Sequence, residues 1–276
     1  MNLQSTKVLT NGVEMPRLGL GVYKMTEREE TLQAIDHALK VGYRAVDTAS
    51  LYGNEVEVGE AIRHSGVKRE DIFVTTKVWN NDQGYDATLR AFEVSLKKLN
   101  MEYLDLYLTH WAVPQTFEET YRAIERLYDE KLIRATGVSN HHEHHLQKLL
   151  AKANIAPMVN QVEVHPYLQQ NTLKTYCTKH DIALTAWSPL GRGGVLDDPT
   201  ILEIGQDLGK TAAQVVLRWH LQNGTIIIPK SVSPSRIEEN AQIFDFELTQ
   251  AQMTQLASLN LNKRFGQDPD NFKFDF

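Results

Sequence analysis

Residues 72–111 read IFVTTKVWNNDQGYDATLRAFEVSLKKLNMEYLDLYLTHW. Two near-continuous apolar runs, IFVTTKVW at 72–79 and YLDLYLTHW at 103–111, flank a stretch of helical period, GYDATLRAFEVSLKKLN at 84–100. Strands covered on both faces carry unbroken apolar runs, because neither face meets water. The segment therefore predicts strand, helix and parallel strand. The same alternation extends in both directions. RLGLGVY and YRAVDTA precede it, and RATGVSN, MVNQVEVHP, ALTAWSPLG and TIIIPKSV follow, which makes eight strand candidates. Helix candidates such as ETLQAIDHALKVG and TFEETYRAIERLYDEKLI lie between them. In the first, Leu32, Ile35, Ala38 and Leu39 share a face and Gly42 ends the run. Eight such units in about 250 residues are the content of a (β/α)₈ barrel. The expectation is one α/β TIM-barrel domain over 1–276. An N-terminal hairpin, KVLTNGVEMP, turns at Asn11-Gly12, and a short C-terminal tail lies over the barrel mouth. The rival is an open doubly wound sheet, which carries a glycine fingerprint after its first strand. GLGVYK at 19–24 lacks the third glycine and runs into the acidic TEREE, so it is rejected as a dinucleotide motif.

The chain has 276 residues, a formal net charge of −6 and one cysteine, Cys177. The acidic balance argues against nucleic acid. A lone cysteine forms no internal disulfide and suits a reducing compartment. There is no apolar leader region and no apolar run of membrane-spanning length. The expectation is a cytoplasmic monomer that takes a small-molecule substrate and binds neither nucleic acid nor membrane.

In a barrel the chemistry sits at the C-terminal ends of the strands. Asp47 ends the second candidate, with Tyr52 in the loop beyond, Lys77 ends the third, and His110 and Trp111 end the fourth. Ser139-Asn140, Trp187-Ser188 and Lys230-Ser231 end the fifth, seventh and eighth, and the sixth carries Asn160-Gln161. All are expected to face one mouth. A buried lysine needs a partner, and Asp47 is available. A phenol titrates near pH 10, about three units too high for easy proton donation, and a nearby ammonium is expected to lower it. Tyr52 would then be a general acid, with His110 orienting a carbonyl oxygen. No metal set is evident.

A second polar cluster follows the last strand. In IIIPKSVSPSRIEEN (226–240) a helix begins near Ser233-Pro234, and Lys230 and Arg236 bring two cations to its start. In SPLGRGGVLDD (188–198), Gly191, Gly193 and Gly194 permit either a loop that closes over a bound phosphate, with Arg192 as a clamp, or a plain flexible loop.

The motifs GYRAVDTASLYGNE, VTTKVW and LDLYLTHW, together with GVSN, NQVEVHP and IPKSVSPSRIEEN, resemble signatures of the aldo-keto reductases across essentially the whole chain. The resemblance is closest to bacterial members of the 2,5-diketo-D-gluconate reductase and glyoxal/methylglyoxal reductase type. It implies NADPH-dependent reduction of carbonyls in a (β/α)₈ barrel. Tyr52 would be the proton donor tuned by Lys77 and Asp47, with His110 orienting the substrate. Ser139, Asn140 and Gln161 would hold the nicotinamide carboxamide, and Trp187 would stack on its ring. Ser188, Leu190 and the loop at Gly191 would meet the pyrophosphate. Lys230, Ser231, Val232 and Arg236 would take the 2′-phosphate, and Glu239 and Asn240 the adenine. Tyr23, Trp79 and Trp111 would line the substrate pocket, with tail residues Phe272 and Phe274. A Schiff-base aldolase on Lys77 or Lys230, and a cofactor-sensing subunit of the same fold, are the alternative functions.

The run HHEHH at 141–145 does not complete HExxH, because Leu146 stands where a histidine would be needed. It is expected to form a solvated first helical turn, with His145 beside Leu146 and no metal. His141 stands where the family commonly carries an aromatic.

Overall fold

A computed structural model describes residues 1–272; Phe274 lies outside the described residues. A hairpin comes first, β1 (Thr6–Val8) paired antiparallel with β2 (Glu14–Pro16). Its turn closes through Leu9 and Val13, with Gly12 at φ 85°, so three residues form the loop.

Eight parallel strands follow: β3 (Leu20–Gly21), β4 (Ala45–Asp47), β5 (Phe73–Val78), β6 (Leu104–Thr109), β7 (Ile133–Ser139), β8 (Val159–Glu163), β9 (Ala183–Trp187) and β10 (Ile226–Ile227). Each pairs with its successor in chain order. The ends of this sheet also meet. Leu18 bridges Ile227 in parallel, Gly19 donates its N–H to the Ile227 carbonyl at 2.9 Å, and Ile227 donates to Arg17 at 3.0 Å. The expected barrel is therefore present and closed. Gly21 is required at the seam, since a Cβ there would stand 2.7 Å from the Ile228 carbonyl oxygen.

Helices α1 (Arg28–Val41), α2 (Glu55–His64), α3 (Tyr85–Leu99), α4 (Phe117–Asp129), α5 (Glu143–Leu150) and α6 (Asn171–Lys179) return the chain between strands. α7 (Pro199–Leu208) and α8 (Ala212–Gln222) fill the last crossover, and α9 (Pro234–Ala241) and α10 (Gln250–Ala257) follow β10. The α1 face is as the sequence predicts, and Gly42 caps it at φ 117°. Among the described residues no helix is long and apolar enough to cross a membrane.

The core has two compartments set by strand alternation. Val46, Val74, Tyr107, Val138, Val162 and Leu184 point outward against the helices. Ala45, Phe73, Leu106, Leu108, Ala135 and Ala183 fill the barrel, and the hairpin's Leu9 and Met15 close its lower end. The same alternation aims Asp47, Lys77, Ser139, Gln161 and Trp187 at the upper end of the interior.

Candidate active site

Lys77 is two residues above Thr75 on the inward face of β5 and is 1% exposed. Its ammonium donates to Asp47 Oδ1 at 2.5 Å and to the Thr48 carbonyl at 2.8 Å. The other carboxylate oxygen of Asp47 accepts from Gln161 Nε2 at 2.7 Å. The buried charge is thus paired and hydrogen-bonded, as burial demands. Tyr52 comes from a short 3₁₀ turn, Ser50–Tyr52, and brings its ring over the ammonium at 5.2 Å from the centroid. Ser50 holds this turn to β5, donating to the Lys77 carbonyl at 3.0 Å and accepting from the Trp79 N–H at 3.2 Å. His110 meets Tyr52 edge-on at 5.8 Å and Trp79 edge-on at 5.0 Å. The four residues named from sequence are therefore together.

Their protonation differs in one respect from the sequence expectation. Burial pushes the Tyr52 phenol well above its usual range, and the Asp47 carboxylate and Tyr23 add to the rise. The ammonium was expected to lower it. Burial outweighs that effect, and Asp47, directly against the ammonium, opposes it. Burial lowers Lys77, opposed by Asp47. Burial, then the Lys77 charge, holds His110 well below the usual imidazole range. The resting site is thus a neutral phenol, a neutral imidazole and a paired ion couple.

Asp47, Tyr52 and His110 wall a cavity of about 250 Å³. Tyr23, Trp79 and Trp111 contribute aromatic surface as expected, and Phe272 of the tail stacks on Trp111 with centroids 4.3 Å apart. Trp187 is oriented by Asn140, whose Oδ1 accepts from the indole N–H at 2.9 Å. Asn140 itself donates to the His110 carbonyl at 2.9 Å, and Ser139 Oγ to the Gln161 carbonyl at 2.7 Å. Asn160 does not join them. The β8 alternation turns it outward, where it donates to the His141 carbonyl at 2.8 Å.

A larger groove of about 730 Å³ shares Tyr23, Ser188, Arg192 and Lys230 with this cavity. Leu190, Gly193, Ser231, Val232, Arg236, Glu239 and Asn240 line it, as the sequence placed them. It ends at α9, where the Ser233 side chain leaves the first turn uncapped and bonds Ser235 instead. Unsatisfied N–H groups and two cations make that end suited to an anion. Arg236 forms no ion pair among the described residues, because Glu239 accepts from Thr211 at 2.6 Å. Gly191 does not line the groove. Its N–H goes to the Ser188 carbonyl, and its Cα faces Phe265.

The HHEHH run departs from the expected solvated turn at His141, while His145 packs inward with Leu146 as expected. His141 is buried edge-on against Phe117 of α4, and burial pulls its imidazole down to about 3. His145 is also buried, accepts from the His142 N–H and sits at about 4 for the same first reason. His142 and His144 instead face Asp270 of the tail. His142, His144 and Asp270 offer ligand atoms within 4.8 Å of one another, a spacing a metal could use. However, Arg264 donates to His142 Nε2 at 2.9 Å, so the neutral ring carries its proton on Nδ1, facing Asp270. The hydrogen-bonded arrangement already satisfies the group that a metal would need bare.

The sequence reading missed Glu163. Buried at the end of β8, it accepts from His165 at 3.0 Å and from the N–H groups of Phe265 (2.7 Å) and Gly266 (3.1 Å). Burial raises this carboxyl, but these bonds together lower it. Gly266 lies beneath Trp187, where a Cβ would come within 2.3 Å of the indole. The signal available in sequence was a carboxylate at the end of a strand, as at Asp47.

The comparisons agree with this geometry. Residues 17–261 match the model of the Aldo/keto reductase family. The chain is 51% identical over 273 residues to the glyoxal reductase of Bacillus subtilis, covering 99% of each. It is 46% identical over 268 residues to the methylglyoxal reductase DkgA of Salmonella typhimurium, covering 96% of each. A variant of Gox0644 solved in complex with NADPH superposes with a TM-score of 0.94 at 42% identity, over 98% of this chain and 99% of that one. The barrel, its rim of converging polar groups and these matches are one result: the chain belongs to the aldo/keto reductase family.

Proposed function

We propose that the protein is an NADPH-dependent carbonyl reductase acting on small aldehydes, α-dicarbonyls and keto-sugars. One observation carries the reading. Tyr52, His110 and the Asp47–Lys77–Gln161 chain meet in an aromatic cavity that opens directly into a long cation-bearing groove. We read this groove as the place for NADPH, with which a solved neighbour is complexed. Its uncapped helix end, with Lys230, Ser231, Val232 and Arg236, suits the 2′-phosphate, and Glu239 and Asn240 flank the adenine end. Ser188, Leu190 and the glycine loop would take the pyrophosphate. Ser139, Asn140 and Gln161 would hold the carboxamide beside Trp187, and Gln161 Oε1 makes no hydrogen bond among the described residues. NADPH, when bound, supplies the hydride that reduces the carbonyl carbon.

The chain's own residues handle the oxygen. His110, kept neutral by burial, can hydrogen-bond the carbonyl without giving up its proton. Tyr52 is held protonated and passes its proton to the oxygen as negative charge develops there. The Lys77 ammonium stabilises the phenolate left behind, and Asp47 keeps that lysine charged against desolvation. A Schiff base on Lys77 would need an amine that reaches the substrate cavity, whereas this one does not line the cavity and is engaged with Asp47 and the Thr48 carbonyl. An acidic chain with a single buried thiol suits a monomer in the reducing cytoplasm.

The test is NADPH oxidation with methylglyoxal, by the unsubstituted protein and by Tyr52→Phe. The substitution should lower kcat on the order of 10²- to 10⁴-fold, the usual worth of a general acid, with the NADPH dissociation constant nearly unchanged. Turnover that survives the change would remove Tyr52 as donor. NADPH binding without turnover by the unsubstituted protein, across a panel of aldehydes, would favour the sensing subunit.

A further inference from the structure

The strap from Arg264 to Phe272 crosses the substrate cavity and is tied at both ends by different chemistry. Its root is fixed at Glu163, which is fully buried and holds the N–H groups of Phe265 and Gly266. Its outer end is tied at the protein surface. Asp270 Oδ2 accepts from His142 Nδ1 at 2.9 Å, and Oδ1 faces His144 Nε2 at 3.3 Å and His145 Nε2 at 3.9 Å. Arg264 fixes the His142 tautomer from the other side and lies 3.8 Å from Asp268. Two residues beyond Asp270, Phe272 stacks on Trp111 and forms part of the cavity wall, as does Gln267 on the other side of Asp270.

We propose that Asp270, gripped by His142 and His144, is the latch that positions Phe272 as the removable wall of the substrate cavity. The asymmetry of the two ties supports this. Buried ties such as the one at Glu163 are costly to break, whereas hydrogen bonds to a half-exposed carboxylate exchange readily with water. Asp270 and His144 are 44% and 53% exposed. Opening therefore begins at the Asp270 end and lifts Phe272 from Trp111, while Gly266 stays under Trp187. Asp270 and the two histidines touch neither the cavity nor the groove, so they act through Phe272 and are positioning residues. The HHEHH run thereby acquires a division of labour. His141 and His145 pack the helix start, and His142 and His144 hold the strap.

The inference rests on the carbonyl-reductase reading for its kinetic arm and on the aromatic stack alone for its spectroscopic arm. The variants are Asp270→Asn and, separately, His144→Gln, compared by steady-state kinetics with 4-nitrobenzaldehyde and methylglyoxal. Loss of one aromatic stack predicts a rise of about threefold to tenfold in KM for 4-nitrobenzaldehyde. KM for methylglyoxal, which is too small to need that wall, should move less, and KM for NADPH should not move. Indole fluorescence should change in both variants, and the change should vanish in a Trp111→Phe background. Unchanged KM for the aromatic aldehyde together with unchanged fluorescence would overturn the latch. A fluorescence change in a protein that reduces no carbonyl would uphold the latch and overturn the functional reading instead.

Discussion

Lys77 concentrates the energetic stakes of the site. Its ammonium is 1% exposed and is compensated by one carboxylate and one carbonyl. Removing one partner of such a pair leaves the other charge buried without compensation, a loss of about 3–5 kcal/mol. Lys77→Met should therefore lower the urea midpoint strongly, and it should also abolish turnover. Adding Asp47→Asn removes the orphaned charge. The double variant should regain much of the lost stability in a urea titration while remaining inactive towards methylglyoxal. Additive stability losses would show that the two side chains do not act as a pair. The pairing could be anticipated from sequence, because a lysine and an aspartate ending adjacent apolar strands have few other ways to be buried. The state of Tyr52 could not. It depends on burial and on Asp47 opposing the lysine's field through a 2.5 Å contact that no spacing encodes.

Among elements, the hairpin and the strap divide the barrel between them. The hairpin sends Leu9 and Met15 into the lower end of the interior, beside Phe73, Leu106 and Ala183. The strap covers the upper end. A truncation in the hairpin should thus cost stability and leave chemistry alone. Met15→Ala opens a cavity beneath the strands, at about 2–5 kcal/mol for a large-to-small core change. Chemical denaturation should show that loss, with kcat/KM of the folded fraction unchanged; a fall in kcat/KM would mean that the two ends of the barrel are coupled. The eight strands were legible because each is covered on both faces and writes an apolar run. The side each residue takes was less so. Asn160 and Gln161 are adjacent and equally polar, and only the β8 register decides that Gln161 enters the site. Glu163 meets Phe265 and Asp270 meets His142 across 102 and 128 residues of chain, at contacts created by the fold.

At the scale of the whole molecule, closure of the barrel buries several imidazoles in their neutral form, and this sets a common acid limit. Burial holds His141 and His220 at about 3 and His110 well below the ordinary range. In the unfolded chain each titrates near the usual value of about 6.5. As pH falls through that value the unfolded chain gains protons that the folded one does not, so stability is complete above pH 6.5 and is lost towards about 3. Each group contributes a loss of order 1–2 kcal/mol by pH 5. His141 allows this to be isolated. Its Nδ1 lies 2.9 Å from the Ser139 carbonyl, its Nε2 has no hydrogen-bond partner among the described residues, and its ring packs on Phe117 in an aromatic environment. His141→Phe removes the titration and keeps the packing. It forfeits the bond to Ser139, so at pH 7.5 it should be equal to or up to about 1 kcal/mol less stable than the unsubstituted protein. At pH 5 the order should reverse, since the substituted chain has one fewer proton to gain on unfolding. Urea denaturation at the two pH values measures the crossing. Parallel stability curves for the two proteins across that range would show that His141 keeps its proton on folding.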